Sequence, residues 1–413
     1  MLILKGRIID GNGGAPIERG CVILEKNKIT KVIDGDALPE HPADARIVEI
    51  PDGSILPGLI EAHVHLGFGS AAAIKWNEFT PQSVMARALR DMEYLRNQGY
   101  TAFRECAGDT IYMKDAVAEG YLDLPRICGS GRFISQIGGH GDSYQKLPLD
   151  AALHLYSPGM LVTGVDEMRR ACRKLLRDKA DFIKIMTTGG VFSQGDGAGP
   201  HSHFSMDEIR AAVEEAENAG TYVSTHAQAN RGIKNALKGG VKCIEHGFYL
   251  DDECIEIMLK NDCTYVPTLA IMHTAKLYFD RGQSGMEYLK EKNRISYEAH
   301  YKAVALAHGA GVRIAAGCDF LGDAEFGCSY DKANMELERL FAAGLSNLEV
   351  ITCATKNGAH LMNKGDLLGT LEEGKLADII VVEGNPAADI RVLCNADNVK
   401  LVVQDGRVVK DTV

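Results

Sequence analysis

Two histidines spaced by one residue, His63 and His65, close an apolar run at residues 54–60 that predicts a β-strand. Alternate side chains of a strand point to the same face, so both imidazoles can reach one metal ion. Imidazole is a common ligand of Zn²⁺ in proteins. A His-x-His pair also occurs on surfaces and in cores, so this spacing alone does not establish a metal site.

A lysine, Lys184, lies inside the strongly apolar run 181–186. Lysine is rarely buried without a partner, because desolvating the ammonium costs several kcal/mol. A salt-bridged lysine, or one that reaches back to solvent, would explain the position. The alternative is a lysine carbamylated by CO₂, which carries a carboxylate-like group able to bridge two cations.

Three further polar residues stand at the ends of predicted strands: His226 after 221–225, His246 after 242–245, and Asp319 after 313–317. Each one alone could be a core or turn residue. Six such residues together are unlikely to be coincidental if the strands form a barrel, because the carboxyl ends of barrel strands meet at one rim. Imidazole and carboxylate ligands suit Zn²⁺, Mn²⁺ or Fe²⁺. The candidate ligands are His63, His65, Lys184, His226, His246 and Asp319.

Strand-like and helical stretches alternate through the middle of the chain. The predicted strands are residues 54–60, 101–106, 126–134, 181–186, 221–225, 242–245, 264–269 and 313–317. Helices are predicted at 81–98, 166–178, 206–218 and 230–238, the third opening with a capping box from Ser205 to Glu208. This alternation predicts an α/β protein with a (β/α)₈ TIM barrel, and a doubly wound open sheet is the alternative.

Both ends of the chain have the texture of short strands separated by turns. Strand-like runs occur at 2–9, 20–34, 376–382, 399–404 and 407–409, with turn residues such as Asp405 and Gly406 between them. We therefore expect a small β-sandwich domain formed from both termini, residues 1–56 plus 360–413. The metal-dependent barrel is expected over residues 57–359.

The ligand series resembles the amidohydrolase superfamily in its binuclear form with a carboxylated lysine. Residues 57–65, PGLIEAHVH, and 369–382, GTLEEGKLADIIVV, match the entry into the barrel and the returning strand of that family. The resemblance covers essentially the whole chain. It implies a hydrolase with two divalent metals, zinc being favoured: one on His63, His65 and Asp319, the other on His226 and His246, with the carbamate of Lys184 between them. A hydroxide shared by the metals would attack an amide carbonyl, while Asp319 passes a proton to the leaving nitrogen.

Within the superfamily, residues 138–142, 188–191 and 245–247 resemble the branch of Xaa-Pro dipeptidases, carboxypeptidase-like enzymes and imidazolonepropionase-related proteins. In dipeptidase relatives, a histidine after strand three and a residue after the strand-five histidine help to hold the substrate carboxylate. The matching positions are His140 and Gln228. The resemblance implies a small carboxylate-bearing amide, such as a dipeptide or an N-acyl amino acid.

Three other functions stay open: a cyclic amide hydrolase like imidazolonepropionase, a mononuclear deaminase, and a non-catalytic barrel that has lost its metals. The glycine-rich loop 189–203 after Lys184 is a candidate lid. Its histidines, His201 and His203, are interpreted as solvated rather than substrate-binding.

Composition limits the partners. The net charge of −11 disfavours nucleic acid or an anionic membrane, and no apolar run reaches the ~20 residues of a membrane span. The first residues lack the pattern of a signal peptide. Eleven scattered cysteines without a Cys-x-x-Cys pair indicate reduced thiols, and therefore a cytoplasmic protein acting on a small molecule. Cys318, beside Asp319, is interpreted as a small buried hydrophobe. The sequence leaves the oligomeric state open, a homo-oligomer included.

Overall fold

The computed structural model describes residues 1–35, 37–38, 40–69, 79–193 and 201–413. Its strands are β1 (Leu2–Ile8), β2 (Ile17–Glu25), β3 (Lys28–Asp34), β4 (Arg46–Pro57), β5 (Leu59–Val64), β6 (Tyr100–Glu105), β7 (Arg126–Gly129), β8 (Phe133–Gln136), β9 (Gly159–Val162), β10 (Ile183–Met186), β11 (Val223–Ala227), β12 (Cys243–His246), β13 (Thr264–Val266), β14 (Ile379–Val382), β15 (Val399–Gln404) and β16 (Arg407–Asp411).

The α-helices of the same residues are α1 (Pro81–Asn97), α2 (Lys114–Ala118), α3 (Leu149–Leu153), α4 (Gly164–Arg177), α5 (Met206–Asn218), α6 (Asn230–Gly239), α7 (Asp252–Lys260), α8 (Leu269–Asp280), α9 (Glu287–Gly309), α10 (Met335–Ala342), α11 (Asn347–Cys353) and α12 (Lys356–Leu361). The capping box predicted for α5 is present, since Ser205 and Glu208 each accept the other's backbone N–H. Within the described ranges, no helix is both long and apolar enough to cross a membrane.

Strands from both termini form one seven-stranded sheet, in the order β16-β15-β14-β4-β1-β2-β3. β4 pairs in parallel with β1 and antiparallel with β14, so strands from the two ends of the chain meet in the interior of this sheet. Buried aliphatic residues such as Val22, Leu401 and Val403 form the core on this sheet. The joining of the termini agrees with the expectation, while a sandwich of two facing layers stays a prediction.

The middle of the chain forms two parallel sheets, ordered β13-β12-β11-β10-β8-β9 and β5-β6-β7. Residues 313–319 lie between them: Ala315 N donates to Tyr265 O at 2.9 Å, and Ala62 N donates to Ala316 O at 2.8 Å. On the other side, Asp181 N donates to Gly129 O at 2.8 Å. The α/β class is confirmed, and neighbouring strands follow the chain order expected of a barrel except at β9, which pairs with β8 at the edge of its sheet while β10 pairs with the other side of β8. No continuously closed ladder is assigned within the described residues.

Three predicted strands differ from the structure. Residues 126–134 form two strands, because Gly131, with φ of 63°, turns the backbone between β7 and β8. Residues 54–60 span the junction of β4 and β5, so the first strand of the parallel sheets begins at Leu59. Residues 313–317 make isolated bridges and hydrogen bonds but are not assigned as a strand.

None of the eleven cysteines, all of which lie in described residues, forms a disulfide, and ten of them are buried. That arrangement agrees with the expected reduced thiols. The cytoplasmic location inferred from them stays a prediction.

Candidate active site

One cavity at the carboxyl ends of the parallel strands is lined by every site residue that the sequence analysis singled out. Strand β5 contributes His63, and His65 follows directly after it. Strands β10, β11 and β12 contribute one ligand candidate each, and the segment after residue 313 contributes the carboxylate. Because parallel strands end at one edge, residues far apart in sequence meet here. The eight residues are His63, His65, His140, Lys184, His226, Gln228, His246 and Asp319.

His63, His65 and Asp319 form a tight group. Asp319 Oδ1 lies 3.1 Å from His65 Nε2 and 3.4 Å from His63 Nε2, and the two Nε2 atoms are 3.2 Å apart. These ligand atoms all lie close enough to one another to hold a single ion. Two imidazoles and a carboxylate are a donor set that Zn²⁺ commonly takes.

His226 and His246 face each other beside this group, with ring centroids 4.5 Å apart. His246 Nδ1 lies 2.8 Å from Thr268 Oγ1, which leaves its Nε2 to act as a ligand atom. His226 Nε2 lies 3.1 Å from the carbonyl oxygen of Gly189, which leaves its Nδ1. In metal sites, a partner on one ring nitrogen commonly orients the other toward the metal.

Lys184 lines the same cavity as the two groups. Its side chain is 1% exposed, and its Nζ has no hydrogen-bond partner in the described part of the chain. Its nearest acidic atom is Glu245 Oε1, at 3.8 Å. A buried ammonium without a hydrogen bond is costly, so the position fits a lysine that carries a carbamate and contacts cations.

Burial keeps His63, His226 and His246 neutral. It lowers the pKa of His63 to about 4, helped by the charge of Lys184, and holds the pKa of both His226 and His246 well below 6.5. Only a neutral imidazole has a lone pair to offer a metal. Burial alone would raise the pKa of Asp319, but His63, His65 and Lys184 lower it below its ordinary value, so this carboxylate is ionised.

The backbone is strained at three residues of the site, which lie at or just after the ends of β12, β13 and the segment 313–317. His246, Thr268 and Asp319 have φ values of 70°, 59° and 56°, in the left-handed region that residues with a Cβ seldom adopt. Such conformations cost about 1–3 kcal/mol each and concentrate at functional sites.

Glu61 ties two of the ligand-bearing segments together. Its Oε1 accepts the backbone N–H groups of His63 and Cys318, each at 2.9 Å. Burial raises the pKa of Glu61 to about 8. Cys318 is fully buried, as interpreted from the sequence, and its backbone precedes Asp319 directly.

Glu245 and Arg104 are two site residues to which the sequence analysis gave no role. Both are 0% exposed, and Arg104 Nη1 lies 2.8 Å from Glu245 Oε1. A charged residue inside an apolar strand, the signal that identified Lys184, also marks these two positions. His63, Cys106 and Glu245 lie close enough to hold an ion, but Arg104 Nη1 lies 3.4 Å from Cys106 Sγ and already supplies the positive charge.

The two proposed substrate contacts, His140 and Gln228, both line the cavity beside His226. The His140 ring stacks on His226 at 3.9 Å, and its Nδ1 is buried with no partner among the described residues. Burial and the nearby His203 lower the pKa of His140 to about 3, so it is neutral. Gln228 Oε1 accepts the N–H of Val191 at 2.9 Å, which ties Gln228 to the chain after β10.

Of the loop at 189–203, residues 194–200 lie outside the described residues, so its function as a lid stays a prediction. His201 is exposed, in agreement with the interpretation of a solvated side chain. His203 departs from it: its side chain is half-buried, because its N–H bonds to Thr187 O at 2.8 Å and places it against the end of β10.

Most of the remaining wall of the cavity is apolar, with Ser143 and Ser193 beside the apolar residues. The apolar lining residues come from six separate parts of the chain. They are Phe68, Phe133, Pro158, Met186, Phe192, Ile271 and Leu321. Among the described lining residues there is no arginine.

Comparison with known proteins assigns this chain to a family. A model of the amidohydrolase family matches residues 54–409. The ochratoxinase of Aspergillus niger is 30% identical over 429 residues, covering 99% of this chain and 86% of that protein. A crystal structure of a prolidase complexed with N-methylphosphonate-L-proline superposes with a TM-score of 0.90 at 29% identity, covering 99% of both chains. The imidazolonepropionase of Thermoplasma volcanium is 23% identical over 422 residues, 96% of this chain and 91% of that one.

Proposed function

This chain belongs to the amidohydrolase family and is a hydrolase acting on carbon–nitrogen bonds, and we propose that it is a binuclear metal-dependent enzyme that cleaves an amide bond in a small, carboxylate-bearing substrate. One observation carries the proposal. Four imidazoles, an ionised carboxylate and a buried lysine without a hydrogen bond to any described residue line a single cavity. The proposed carboxylate-bearing substrates are dipeptides or N-acyl amino acids.

The proposed ligands divide into two groups. His63, His65 and Asp319 would hold one divalent cation, and His226 and His246 a second, with the carbamate of Lys184 between them. Zinc is the metal proposed, because imidazole and carboxylate ligands suit it. When bound, two such cations supply Lewis acidity, lowering the pKa of water from about 15.7 towards 7 and polarising the substrate carbonyl.

Asp319 is the residue proposed to carry the proton. Its Oδ1 lies beside His65, and its Oδ2 is 3.8 Å from His246 Nδ1, so the carboxylate lies between the two groups of histidines. Being ionised, it can accept a proton from the attacking water. It then donates that proton to the leaving nitrogen, which departs as an amine.

His140 is proposed to donate an N–H to the substrate carboxylate, with Gln228 helping to shape the same side of the cavity. A carboxylate held at a fixed point orients the scissile carbonyl. The prolidase relative supports this substrate class, because the ligand named in its structure is built on L-proline, an amino acid. The ochratoxinase relative supports hydrolysis of an amide.

A cyclic amide is the second candidate substrate. It is favoured by the neutral state of His140 and by the lack of arginine among the described lining residues, since a carboxylate is usually met by a cation. The imidazolonepropionase relative points the same way.

We further propose that the two parallel sheets belong to one (β/α)₈ barrel spanning residues 57–359. The hydrogen bonds of residues 313–319 to β5 and β13 support this. Residues 1–56 plus 360–413 would then form the smaller β-sandwich domain.

The test combines a metal count with a substrate panel. Elemental analysis of protein prepared without chelator should find close to two divalent metals per chain, and zinc among them. The zinc-loaded enzyme should hydrolyse dipeptides or N-acyl amino acids faster than their amidated counterparts. One metal together with release of ammonia would favour a deaminase. Equal rates for acids and amides, with turnover of lactams, would favour the cyclic amide.

A further inference from the structure

Directly beneath the proposed metal ligands lies a buried ion pair, Arg104 on β6 and Glu245 on β12. Neither side chain is exposed at all, and their charged atoms are 2.8 Å apart. A buried ion pair is weak evidence for stability, because desolvation of both charges offsets their attraction, and apolar replacements are often as stable. The pair therefore calls for a function other than stability.

The carboxylate of Glu245 contacts one ligand of the first proposed metal group and lies near the lysine proposed to bridge the two groups. Its Oε2 lies 2.7 Å from His63 Nδ1, and its Oε1 lies 3.8 Å from Lys184 Nζ. Ser224 Oγ donates to the same Oε1, and Cys243 Sγ lies 3.2 Å from it. One carboxylate thus contacts a ligand of the first metal and lies near the nitrogen that would carry the bridging group.

Arg104 is itself held on several sides. Its Nη1 donates to Ala62 O at 2.9 Å, and its Nε donates to Tyr222 Oη at 3.0 Å. The guanidinium lies over the ring of Phe182, 4.1 Å from the centroid. Tyr222 in turn donates to Leu361 O at 2.7 Å. The positive charge is therefore fixed in place, and solvent does not reach it.

We propose that Arg104 and Glu245 are a positioning pair that sets the affinity of the site for its metals, an inference that rests on the proposed function. Glu245 accepts the Nδ1 proton of His63, so that His63 Nε2 faces His65 and Asp319 as a ligand. A carbamate on Lys184 keeps one N–H on Nζ, and Glu245 Oε1 is the nearest acceptor for it. Arg104 supplies the cation that lets Glu245 remain beside a lysine whose charge has changed from positive to negative.

The test measures metal affinity and unfolding separately. Glu245→Gln keeps the shape but removes the charge, and Arg104→Met removes the guanidinium. Each should weaken metal binding by ~10–100-fold, the usual effect of losing a residue that orients a ligand, measured by competition with a chromophoric chelator. Arg104→Lys keeps the positive charge but loses the planar guanidinium, so its metal affinity should fall between those of Arg104→Met and the wild type. This variant also tests the proposal if Arg104→Met does not fold.

The double variant Arg104→Met/Glu245→Gln separates positioning from structure. Replacing both members removes the unpaired buried charge, so its unfolding temperature should recover relative to the single variants. Its metal affinity should stay low. A double variant with wild-type metal affinity would mean that the pair only fills space and would overturn the proposal.

A matched control is Asp378→Asn. Asp378 is also buried in an ion pair, with Arg126 Nε at 3.0 Å, but it joins β7 to the terminal sheet. The Asp378→Asn substitution should lower the unfolding temperature and leave metal affinity unchanged. Wild-type protein without two metals overturns the proposed function and this inference together. Two metals bound equally well by wild type and Glu245→Gln overturn the inference alone.

Discussion

The terminal sheet and the centre of the parallel sheets bury their residues in opposite ways. The core of the terminal sheet is a cluster of aliphatic side chains, with Leu4, Val22, Leu401 and Val403 almost fully buried. The centre of the parallel sheets buries charged and polar groups instead, including two carboxylates, a guanidinium and an ammonium. Apolar burial stabilises without any directional requirement, whereas buried charges need specific partners.

This difference indicates which region contributes mainly to stability and which contributes to the reaction. In the terminal sheet the strands pair in ladders that contain single register shifts, and the buried residues contribute through contact area. At the site, left-handed backbone at His246, Thr268 and Asp319 is held by surrounding hydrogen bonds. Substitutions in the first region should therefore change unfolding, and substitutions in the second should change turnover.

The largest expected effect is that of Lys184→Ala on turnover. Losing the proposed bridge should reduce kcat/KM by at least ~1000-fold, about 4 kcal/mol at 1.4 kcal/mol per decade. Formate or acetate should partly restore it, because a carboxylate can replace a carbamate. The matched variant Lys184→Met, which keeps the volume, should be equally inactive yet unfold no more easily when metal-free, since it removes a buried charge. Normal turnover in Lys184→Ala would exclude the bridging role.

Elements specified by local signals were predictable from sequence. Helix α5 begins and ends where it was predicted, because its capping box and the following glycine act within one turn. Strand β15 likewise matches 399–404. Residues 126–134 and 54–60 were misjudged, because the breaks at Gly131 and Gly58 interrupt apolar runs whose composition does not change across them.

The ligand candidates of the site could be found because their residue types are unusual at the ends of apolar strands. Their supports could not be found in the same way. His63 and Glu245 are 182 residues apart in sequence, and only the fold brings them within 2.7 Å. The stacking of His140 on His226 is likewise a tertiary contact. The type of a residue indicates which chemistry its side chain can perform, but not which distant residue the fold brings into contact with it.

Leu401→Ala is the next largest change, and it acts on the other region. Leu401 is 0% exposed on β15, so its loss should lower the free energy of unfolding by ~2–5 kcal/mol. At a temperature where the variant is folded, kcat/KM should equal that of the wild type. Val408→Ala, on the edge strand β16 and 38% exposed, is the control and should change stability by less than ~0.5 kcal/mol. Denaturant unfolding beside steady-state kinetics measures both, and lost turnover in folded Leu401→Ala would contradict the separation.

His140→Ala should show a smaller effect that depends on the substrate. We expect a fall in kcat/KM of ~10–1000-fold, about 1.4–4 kcal/mol, for acid substrates. Amidated counterparts should lose less, because they lack the carboxylate that His140 is proposed to bind. His154→Ala, an exposed histidine after α3, is the control and should behave as the wild type. Equal losses for acids and amides would assign His140 to the reacting carbonyl instead.

The smallest expected effect is a pH dependence of unfolding that arises beside the site and not in the terminal sheet. His300 is fully buried, with Nε2 2.6 Å from Pro267 O and its ring against Phe248. Burial lowers its pKa from 6.5 to about 3. Between these values the unfolded chain binds a proton that the folded chain does not. The free energy of unfolding should therefore fall as the pH drops from 6.5 towards 3, by up to ~1.4 kcal/mol per pH unit from this residue.

Urea unfolding of metal-free protein between pH 7.5 and pH 4.5 measures this slope. His300→Gln keeps a donor for the carbonyl of Pro267 but cannot titrate, so its stability should fall less steeply with acid than that of the wild type. Leu401→Ala should be less stable at every pH, but its free energy of unfolding should change with pH as steeply as that of the wild type, because the substitution removes only apolar contact. If the stability of His300→Gln has the same slope with pH as the wild type, the titration of His300 does not contribute. The acid sensitivity would then belong to the buried histidines of the cavity, among them His63 and His140, whose pKa values burial also lowers.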